Sequence, residues 1–321
     1  GNHDILWLGA AAGSAACIFT VLRISSDYGN TMTLERRYGV SLRPLAQFCE
    51  RVYGDSEKKT VHQALSVLGF KLEGHIILRH PGYEMNDRLM LYRINYEDWT
   101  VELAPGVYPL NTHDFPTVDP ADPYRLTDEE QELVDEYVSA FKESQPLRRH
   151  LDFIYKKGST YLCCNGNLLY HGCIPMTEQG AQMEFSIGCK ALSGKAFLDY
   201  ADLTARRAYY SKQGTAEREF GMDFLWFLWA GRNSPIFGRD RMTTFERRLI
   251  LDESTWTEPK NPYYRFYNDP SVCDALLKEF GLEGEHCHII NGHIPVKSKK
   301  GESPIKGGGR LVVIDGALYH T

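Results

Sequence analysis

The 321-residue sequence lacks the features that mark several special classes of protein. It has no stretch of about 18 or more apolar residues, and its most apolar run, residues 224–229, is far too short to span a bilayer. Its eight cysteines contain no Cys-x-x-Cys pair, which argues against a zinc ribbon or a disulfide framework. The formal net charge of -6 argues against general binding to nucleic acid or acidic membranes. These absences predict a cytoplasmic protein with reduced thiols, in which local cations or metal ions would hold an anionic substrate.

Enough apolar residues are present for a sizeable core, since 43% of the chain is hydrophobic. Residues 5–24 are apolar almost all round, which predicts one buried helix running away from a polar loop at residues 1–4. Charged, aromatic and turn-forming residues dominate residues 31–125, where two helical patches stand out at 42–53 and 60–71.

Several later elements follow from local patterns. Thr127 and Glu130 form a capping box that opens an amphipathic helix extending to about residue 143. Residues 160–164 and 168–171 read as two strands joined by a tight Asn-Gly turn. Further helices are predicted at 190–210 and 216–229, and further strands at 286–290 and 311–315.

These elements predict an α/β fold divided into two parts. Residues 1–30 and 151–321 form the core in this interpretation. Residues 31–150 form a helical and irregular insertion or cap over that core.

Three polar loops at the ends of predicted elements carry similar chemistry. They centre on Asn2, on His171 and on His293, and each has a glycine beside the polar residues. In an α/β sandwich such loops gather along one edge, where metals and substrates bind. Imidazole and amide donors from separate loops suit manganese, iron or zinc. For each histidine alone, a hydrogen-bonded loop residue is the alternative, but the shared context of all three favours a metal site.

The first of these loops, Gly1-Asn2-His3-Asp4, matches the asparagine and histidine signature of two-metal phosphoesterases. In that chemistry an amide oxygen completes one metal's shell, and a neighbouring imidazole, oriented by the acidic residue, sits on the leaving-group side of the phosphate. The same four residues could equally be a helix N-cap followed by solvated polar residues.

Longer stretches carry a family resemblance: 1–7, 71–74, 115–119, 165–175, 228–235, 244–247, 291–297 and 301–306. Over almost all of its length the chain resembles the class III fructose-1,6-bisphosphatases of bacteria, members of the calcineurin-like metallophosphatase superfamily. Residues 291–297 with 301–306 are the most family-specific. The resemblance implies an incomplete calcineurin-like metallophosphatase sandwich. It also implies hydrolysis of fructose 1,6-bisphosphate to fructose 6-phosphate and phosphate in gluconeogenesis.

The resemblance also implies residue roles. Asn2, His171 and His293 resemble metal ligands of that family, while His3 resembles the leaving-group acid with Asp4 as its partner. The implied cofactor is a divalent metal, with Mn²⁺ as the expected ion in a two-metal site.

Binding of the sugar phosphates is assigned to three cations, Arg232, Lys297 and Lys306. Surface cations are commonly only solvated, so this assignment rests on motif matches alone. The expected partner is a small-molecule sugar bisphosphate, and not nucleic acid or a membrane, and a homo-oligomer is left open.

The chain departs from the superfamily pattern in two ways. The superfamily requires an Asp-x-His loop and a Gly-Asp-x-x-Asp loop, which supply the bridging aspartate and most ligands of the first metal. The sequence contains neither, since Gly54-Asp55 lacks the second aspartate. The residues after Asp315-Gly316 also differ from the family's expected continuation. We therefore expect a fragment truncated at both ends that keeps about half of a metal site and is inactive alone.

Alternative functions differ in class. A serine/threonine-type protein phosphatase of the same superfamily has a His-Gly-Gly loop that resembles His171-Gly172-Cys173. A truncated structural or interaction piece without catalysis is the non-enzyme alternative. A zinc corner formed by His286, His288 and His293 is a further alternative, although two histidines on one strand are more often structural.

Overall fold

The computed structural model describes residues 1–104, 106–187 and 190–314, which form a mixed α/β fold. The helices are α1 (Asn2–Ala12), α2 (Ala15–Asp27), α3 (Arg43–Val52), α4 (Lys58–Arg79), α5 (Asp128–Glu143), α6 (Gln145–Lys157), α7 (Gly194–Tyr210), α8 (Ala216–Ala230), α9 (Thr244–Leu249), α10 (Tyr263–Phe266) and α11 (Pro270–Glu279). The strands are β1 (Ile94–Asn95), β2 (Thr100–Leu103), β3 (Gly106–Pro109), β4 (Tyr161–Cys164), β5 (Asn167–Tyr170), β6 (Phe185–Ile187), β7 (Lys190–Leu192), β8 (His288–Asn291), β9 (Ile305–Lys306) and β10 (Leu311–Val313).

One five-stranded sheet, in the order β4-β5-β8-β10-β9, positions the candidate site. Strands β5, β8 and β10 run parallel, and β4 and β9 pair antiparallel at the two sides of the sheet. The carboxyl ends of parallel strands lie at the same edge, so the segments that follow Tyr170 and Asn291 are neighbours. Two smaller antiparallel sheets are formed by β1-β2-β3 and by β6-β7.

The N-terminal apolar segment forms two helices, so the prediction of one helix over residues 5–24 is wrong. Helix α1 ends at Ala12 and is capped by Gly13, whose φ of 103° lies in the left-handed region that favours glycine, and α2 begins at Ala15 after Ser14. The predicted loop setting of Asn2 and His3 is also wrong, because both lie in the first turn of α1. The predicted burial of the segment is confirmed.

Two local predictions are confirmed by their hydrogen bonds and backbone angles. The Thr127 hydroxyl accepts from the Glu130 amide at 3.2 Å, and α5 runs to Glu143 as expected. Asn165 and Gly166 connect β4 to β5 with φ values of 50° and 76°, as a two-residue hairpin turn requires.

The predicted helix over 190–210 begins later, because residues 190–192 pair with β6 as a strand. The two helical patches at 42–53 and 60–71 are confirmed as α3 and α4, and α4 continues to Arg79. The last predicted strand is confirmed over Leu311–Val313, whereas Asp315 lies outside the described residues.

Buried apolar side chains form two clusters. The larger cluster joins residues from α1, α2, α4, α5 and α8. The smaller cluster packs the sheet against α11, with Leu168, Ile289 and Leu311 meeting Leu276 and Leu277. The larger cluster contains residues from both parts of the predicted division, which stays a prediction. None of the helices in the described ranges combines the length and hydropathy of a membrane span.

Candidate metal centre

His171 and His293 meet at the carboxyl edge of the sheet. His171 follows β5 directly, and His293 follows β8 after one glycine. The Gly292 amide donates to the His171 carbonyl at 3.0 Å, which ties the two loops together. The imidazole rings consequently lie 5.0 Å apart between centroids, at an interplanar angle of 65°.

Asn2 joins this pair from the first turn of α1. Its Oδ1 atom lies 3.1 Å from Nε2 of His171. Two ligands that each lie about 2.1 Å from one metal ion, at right angles, are about 3 Å apart, so this spacing fits a shared ion. The predicted convergence of Asn2, His171 and His293 is thus confirmed, while their role as ligands stays a prediction.

The electrostatic setting keeps His171 neutral. Burial, with a smaller contribution from the nearby His293, lowers the pKa of His171 to about 4. A neutral imidazole is the form that binds a metal ion, because the ring nitrogen must offer its lone pair. The donor set of two imidazoles and one amide oxygen fits manganese, iron or zinc.

His293 is oriented by the loop between α8 and α9. Its Nε2 atom donates to the Phe237 carbonyl at 2.7 Å, so the lone pair of this ring resides on Nδ1. Metal-binding histidines commonly donate their second ring nitrogen to a carbonyl in this way. His293 has a φ of 67°, a left-handed backbone that histidine adopts more readily than most residues.

Close backbone packing places His171 beside the same loop. A Cβ atom on Gly172 would lie 2.3 Å from the Pro235 carbonyl oxygen and 2.8 Å from that of Ile236. The Cys173 amide donates to the Pro235 carbonyl at 2.9 Å. Only glycine at position 172 therefore allows the loop to approach His171 this closely.

Asn291 supports the site through buried hydrogen bonds, and this role is not evident from the sequence. It is fully buried, and its Nδ2 donates to the Gly172 carbonyl at 3.2 Å and to the Tyr263 hydroxyl at 3.1 Å. The Tyr263 hydroxyl also lies 2.6 Å from that of Tyr170. The sequence assigns Asn291 to a polar loop, whereas it ends β8 and holds the turn after β5.

A cavity of about 660 Å³ opens at the edge where the histidines meet. His171, His293 and Asp4 line it together with the charged residues Asp202 and Arg206, and most of its wall area is apolar. Leu8 of α1 and Ile290 of β8 belong to that apolar part. A space of this size is typical of small-molecule sites.

His3 and Asp4 flank this cluster. The His3 ring meets Trp229 of α8 edge to face, with centroids 5.3 Å apart. Partial burial lowers the pKa of His3, and the Asp4 carboxylate opposes the shift. The Asp4 carboxylate accepts from the Gly1 amino group at 2.6 Å. The alternative interpretation of residues 1–4 as a helix start is correct for the backbone, and the site role stays a prediction.

The three predicted phosphate-binding cations lie in different settings. Arg232 is bound between the carboxylates of Asp87 and Asp240, at 2.8 and 2.9 Å. Lys297 is exposed, and Lys306 pairs with Glu302 at 3.0 Å. The structure therefore brings Lys297 and Lys306 to one carboxylate, since the Lys297 amide donates to Glu302 at 3.0 Å, and leaves Arg232 with other partners.

Within the described ranges, no group of three or more histidine, cysteine, aspartate or glutamate residues has the arrangement of a metal site. The alternative zinc corner of His286, His288 and His293 therefore has no support among these residues. The cluster of Asn2, His171 and His293 contains two histidines and one amide, so it is not a group of this kind, and its role as half of a metal site stays a prediction.

Two imidazoles at the carboxyl ends of parallel strands, with an amide oxygen from α1 beside them, define an α/β protein with a cluster of nitrogen and oxygen donors. The family described as Firmicute fructose-1,6-bisphosphatase matches residues 1–321, and the chain belongs to this family.

Curated relatives carry the same family name. The chain is 48% identical over 338 residues to fructose-1,6-bisphosphatase class 3 of Clostridium novyi (strain NT), covering 99% of this chain and 51% of the relative. It is 45% identical over 344 residues to fructose-1,6-bisphosphatase class 3 of Listeria innocua, covering 100% of this chain and 53% of the relative. The chain thus spans about half the length of the curated relatives it matches. No solved structure matches the chain.

Proposed function

We propose that this chain is part of a metal-dependent fructose-1,6-bisphosphatase. The whole protein hydrolyses fructose 1,6-bisphosphate to fructose 6-phosphate and phosphate, in gluconeogenesis and in the cytoplasm. Family membership over residues 1–321 supports the reaction, and the convergence of Asn2, His171 and His293 is the observation that carries the site. The proposed architecture is part of a calcineurin-like sandwich, with residues 31–150 as an insertion or cap. The relatives' names do not favour a protein phosphatase.

Asn2, His171 and His293 would hold a divalent metal ion, with manganese as the proposed ion. When bound, such an ion activates a water and neutralises charge on the phosphate. The Phe237 carbonyl fixes the tautomer of His293, and burial keeps His171 unprotonated, so both rings are prepared for binding before the ion arrives.

His3 would protonate the departing sugar oxygen. An alkoxide is a poor leaving group, so a positioned acid contributes strongly when the leaving group is a sugar. Trp229 holds one edge of the His3 ring, and the charge of Asp4 favours its protonated form.

The remaining ligands would come from the part of the relatives that this chain does not span. The sequence has neither an Asp-x-His nor a Gly-Asp-x-x-Asp loop. Two ions at a separation of about 3.5–4 Å need a bridging ligand, so we expect residues 1–321 alone to bind metal weakly and to hydrolyse the substrate slowly or not at all.

The proposed function is tested on the protein at the full length of its relatives. Replacing His293 by Gln should lower bound manganese, measured by elemental analysis, and activity should fall with it. Replacing His3 by Gln should leave bound manganese nearly intact and reduce kcat for fructose 1,6-bisphosphate by about 10²–10⁴-fold. His286→Gln, an exposed histidine outside the cluster, is the matched control.

A second substrate separates the two roles. With an activated aryl phosphate, which leaves without a proton, the loss for His3→Gln should be much smaller. Equal losses on both substrates, or manganese loss in His3→Gln that matches His293→Gln, would remove the acid role. Absence of fructose 1,6-bisphosphate hydrolysis by the unsubstituted protein would refute the proposed function itself.

A further inference from the structure

Four cationic side chains gather beside the loop that orients His293. Arg239 and Lys260 pair their backbones as an isolated antiparallel bridge. Lys297 and Lys306 lie near Lys260, and Glu302 links these two lysines, since its two carboxylate oxygens accept from the Lys297 backbone amide and from the Lys306 ammonium, each at 3.0 Å. Sequence reasoning finds only Lys297 and Lys306 of this cluster, because Arg239 and Lys260 reach this place through the fold.

The cluster has more positive than negative charge. Glu302 faces Lys306, and Glu258 lies 3.6 Å from Arg239, which leaves two carboxylates for four cations. Lys260 takes part in none of the ion pairs among the described residues. Burial lowers the pKa of Lys260, and the nearby Arg239, Lys297 and Lys306 lower it further while Glu302 opposes them. The chain as a whole has a net charge of -6. A local excess of cations in such a chain favours the binding of an anion at that place.

A rigid loop connects this cluster to the histidine pair. The Phe237 carbonyl accepts from His293, and Arg239 follows Phe237 by only two residues, a span of at most about 7 Å. The Asn233 amide donates to the Arg239 carbonyl at 3.0 Å, and the Asn261 amide donates to the Gly238 carbonyl at 3.0 Å.

Gly238 further restricts the loop. It has a φ of 62°, and a Cβ atom there would lie 2.6 Å from the Tyr264 hydroxyl. Backbone hydrogen bonds therefore hold residues 238 and 239 in place beside the carbonyl that orients His293.

We propose that Arg239 and Lys260, together with Lys297 and Lys306, form a subsite for the phosphate group of the bisphosphate that is not hydrolysed. This inference rests on the proposed function for the identity of the ligand, and it adds Arg239 and Lys260 to the binding residues. Arg232 does not belong to the subsite, because two carboxylates, Asp87 and Asp240, bind it, whereas Arg239 and Lys306 each face only one. Placement of one phosphate here and the other at the histidines selects a substrate with two phosphate groups.

Direct binding tests the subsite without catalysis. The dissociation constants of fructose 1,6-bisphosphate and fructose 6-phosphate for residues 1–321 are measured by calorimetry in metal-free buffer at low salt. Lys260→Gln should weaken binding of the bisphosphate about tenfold, and Lys260→Glu should weaken it more, because each removes a charged hydrogen-bond donor. Lys278→Gln, on the exposed surface of α11, should leave the constant unchanged. Unchanged constants in both Lys260 variants, or no measurable binding to the unsubstituted chain, would overturn the proposal.

A kinetic measurement on the full-length protein separates this inference from the proposed function. Lys260→Gln should lower kcat/KM for fructose 1,6-bisphosphate and leave that for an aryl phosphate, which has one phosphate group, unchanged. Equal effects on the two substrates would overturn the subsite while hydrolysis remained. A failure of the proposed function appears differently, as an unsubstituted protein that hydrolyses no bisphosphate.

Discussion

Gly172 shows how a single residue determines the geometry of the centre. The residue is buried between His171 and the backbone of residues 235–236, where no room exists for a side chain. One of the two carbonyl oxygens that fill this space, that of Pro235, also accepts a hydrogen bond from the Cys173 amide. The position of His171 thus depends on the absence of one methyl group.

Gly172→Ala should destabilise the protein by about 1–3 kcal/mol, because overpacking forces backbone carbonyls to move. Gly82→Ala is the matched control, since Gly82 is exposed and a Cβ atom there meets nothing within 4 Å. The control should change stability by less than about 0.5 kcal/mol. Chemical denaturation followed by tryptophan fluorescence compares the two. Equal stabilities would show that the loop can retreat from residue 172 without cost.

The sequence predicts a residue of the site when the pattern that marks it lies in the neighbouring residues of the chain. Asn2, His171 and His293 each stand beside a glycine at the end of an element, and that pattern was sufficient to group them. Asn291 and Lys260 were not found, because their roles arise from contacts with segments distant in sequence.

At the scale of elements, α4 and α5 are joined by a buried ion pair. The Lys71 ammonium donates to Glu130 at 2.7 Å and to the Thr117 carbonyl at 2.6 Å, and both charged side chains are almost fully buried. Burial lowers the pKa of Lys71, and Glu130 opposes the shift. Glu130 also accepts from the Thr127 amide at 2.9 Å. The same carboxylate therefore caps α5 and neutralises the charge of Lys71 in α4.

Lys71→Met should destabilise the protein by about 3–5 kcal/mol, because it leaves the Glu130 carboxylate buried without a cation. Lys195→Met is the control: Lys195 pairs with Asp199 on the exposed face of α7, and its loss should cost less than about 1 kcal/mol. Adding Glu130→Gln to Lys71→Met should recover part of the loss, since the amide keeps a cap acceptor without the charge. A double variant less stable than Lys71→Met would contradict this account.

Elements with a strong local signal were predicted well, and those set by pairing were not. The capping box placed α5, and the Asn-Gly pair placed the β4-β5 turn. The break between α1 and α2 was missed, because Gly13 and Ser14 interrupt an apolar run without charge or proline. Residues 190–192 carry no strand pattern of their own and become a strand by pairing with β6.

At the scale of the whole molecule, the described cysteines fall into two groups, those buried in the two apolar clusters and those exposed to solvent. Cys17, Cys49, Cys173, Cys273 and Cys287 are buried, and Cys163 and Cys164 of β4 are exposed. Burial raises the pKa of Cys17 and Cys49 to about 12 and that of Cys273 to about 11. A thiol reagent therefore reports whether the described fold is formed throughout.

In a Cys189→Ser background, which removes the cysteine outside the described residues, the native protein should label two thiols quickly with a chromogenic disulfide. Replacing Cys163 and Cys164 by Ser in addition should reduce fast labelling nearly to zero, because the remaining described thiols are buried and a reagent reacts with accessible thiols. Denaturant should expose the remaining thiols in both proteins. Fast labelling that persists in the triple variant would show that a buried cluster is open.

The strand β4 has a consequence for handling the protein. It lies at one side of the five-stranded sheet, carries no charged residue, and exposes Leu162 to 56%. An uncharged, exposed border strand can template the addition of a strand from another copy, and such addition leads to aggregation. We expect residues 1–321 to precipitate at high concentration in a way that light scattering detects, and Leu162→Lys to delay it without lowering the free energy of unfolding.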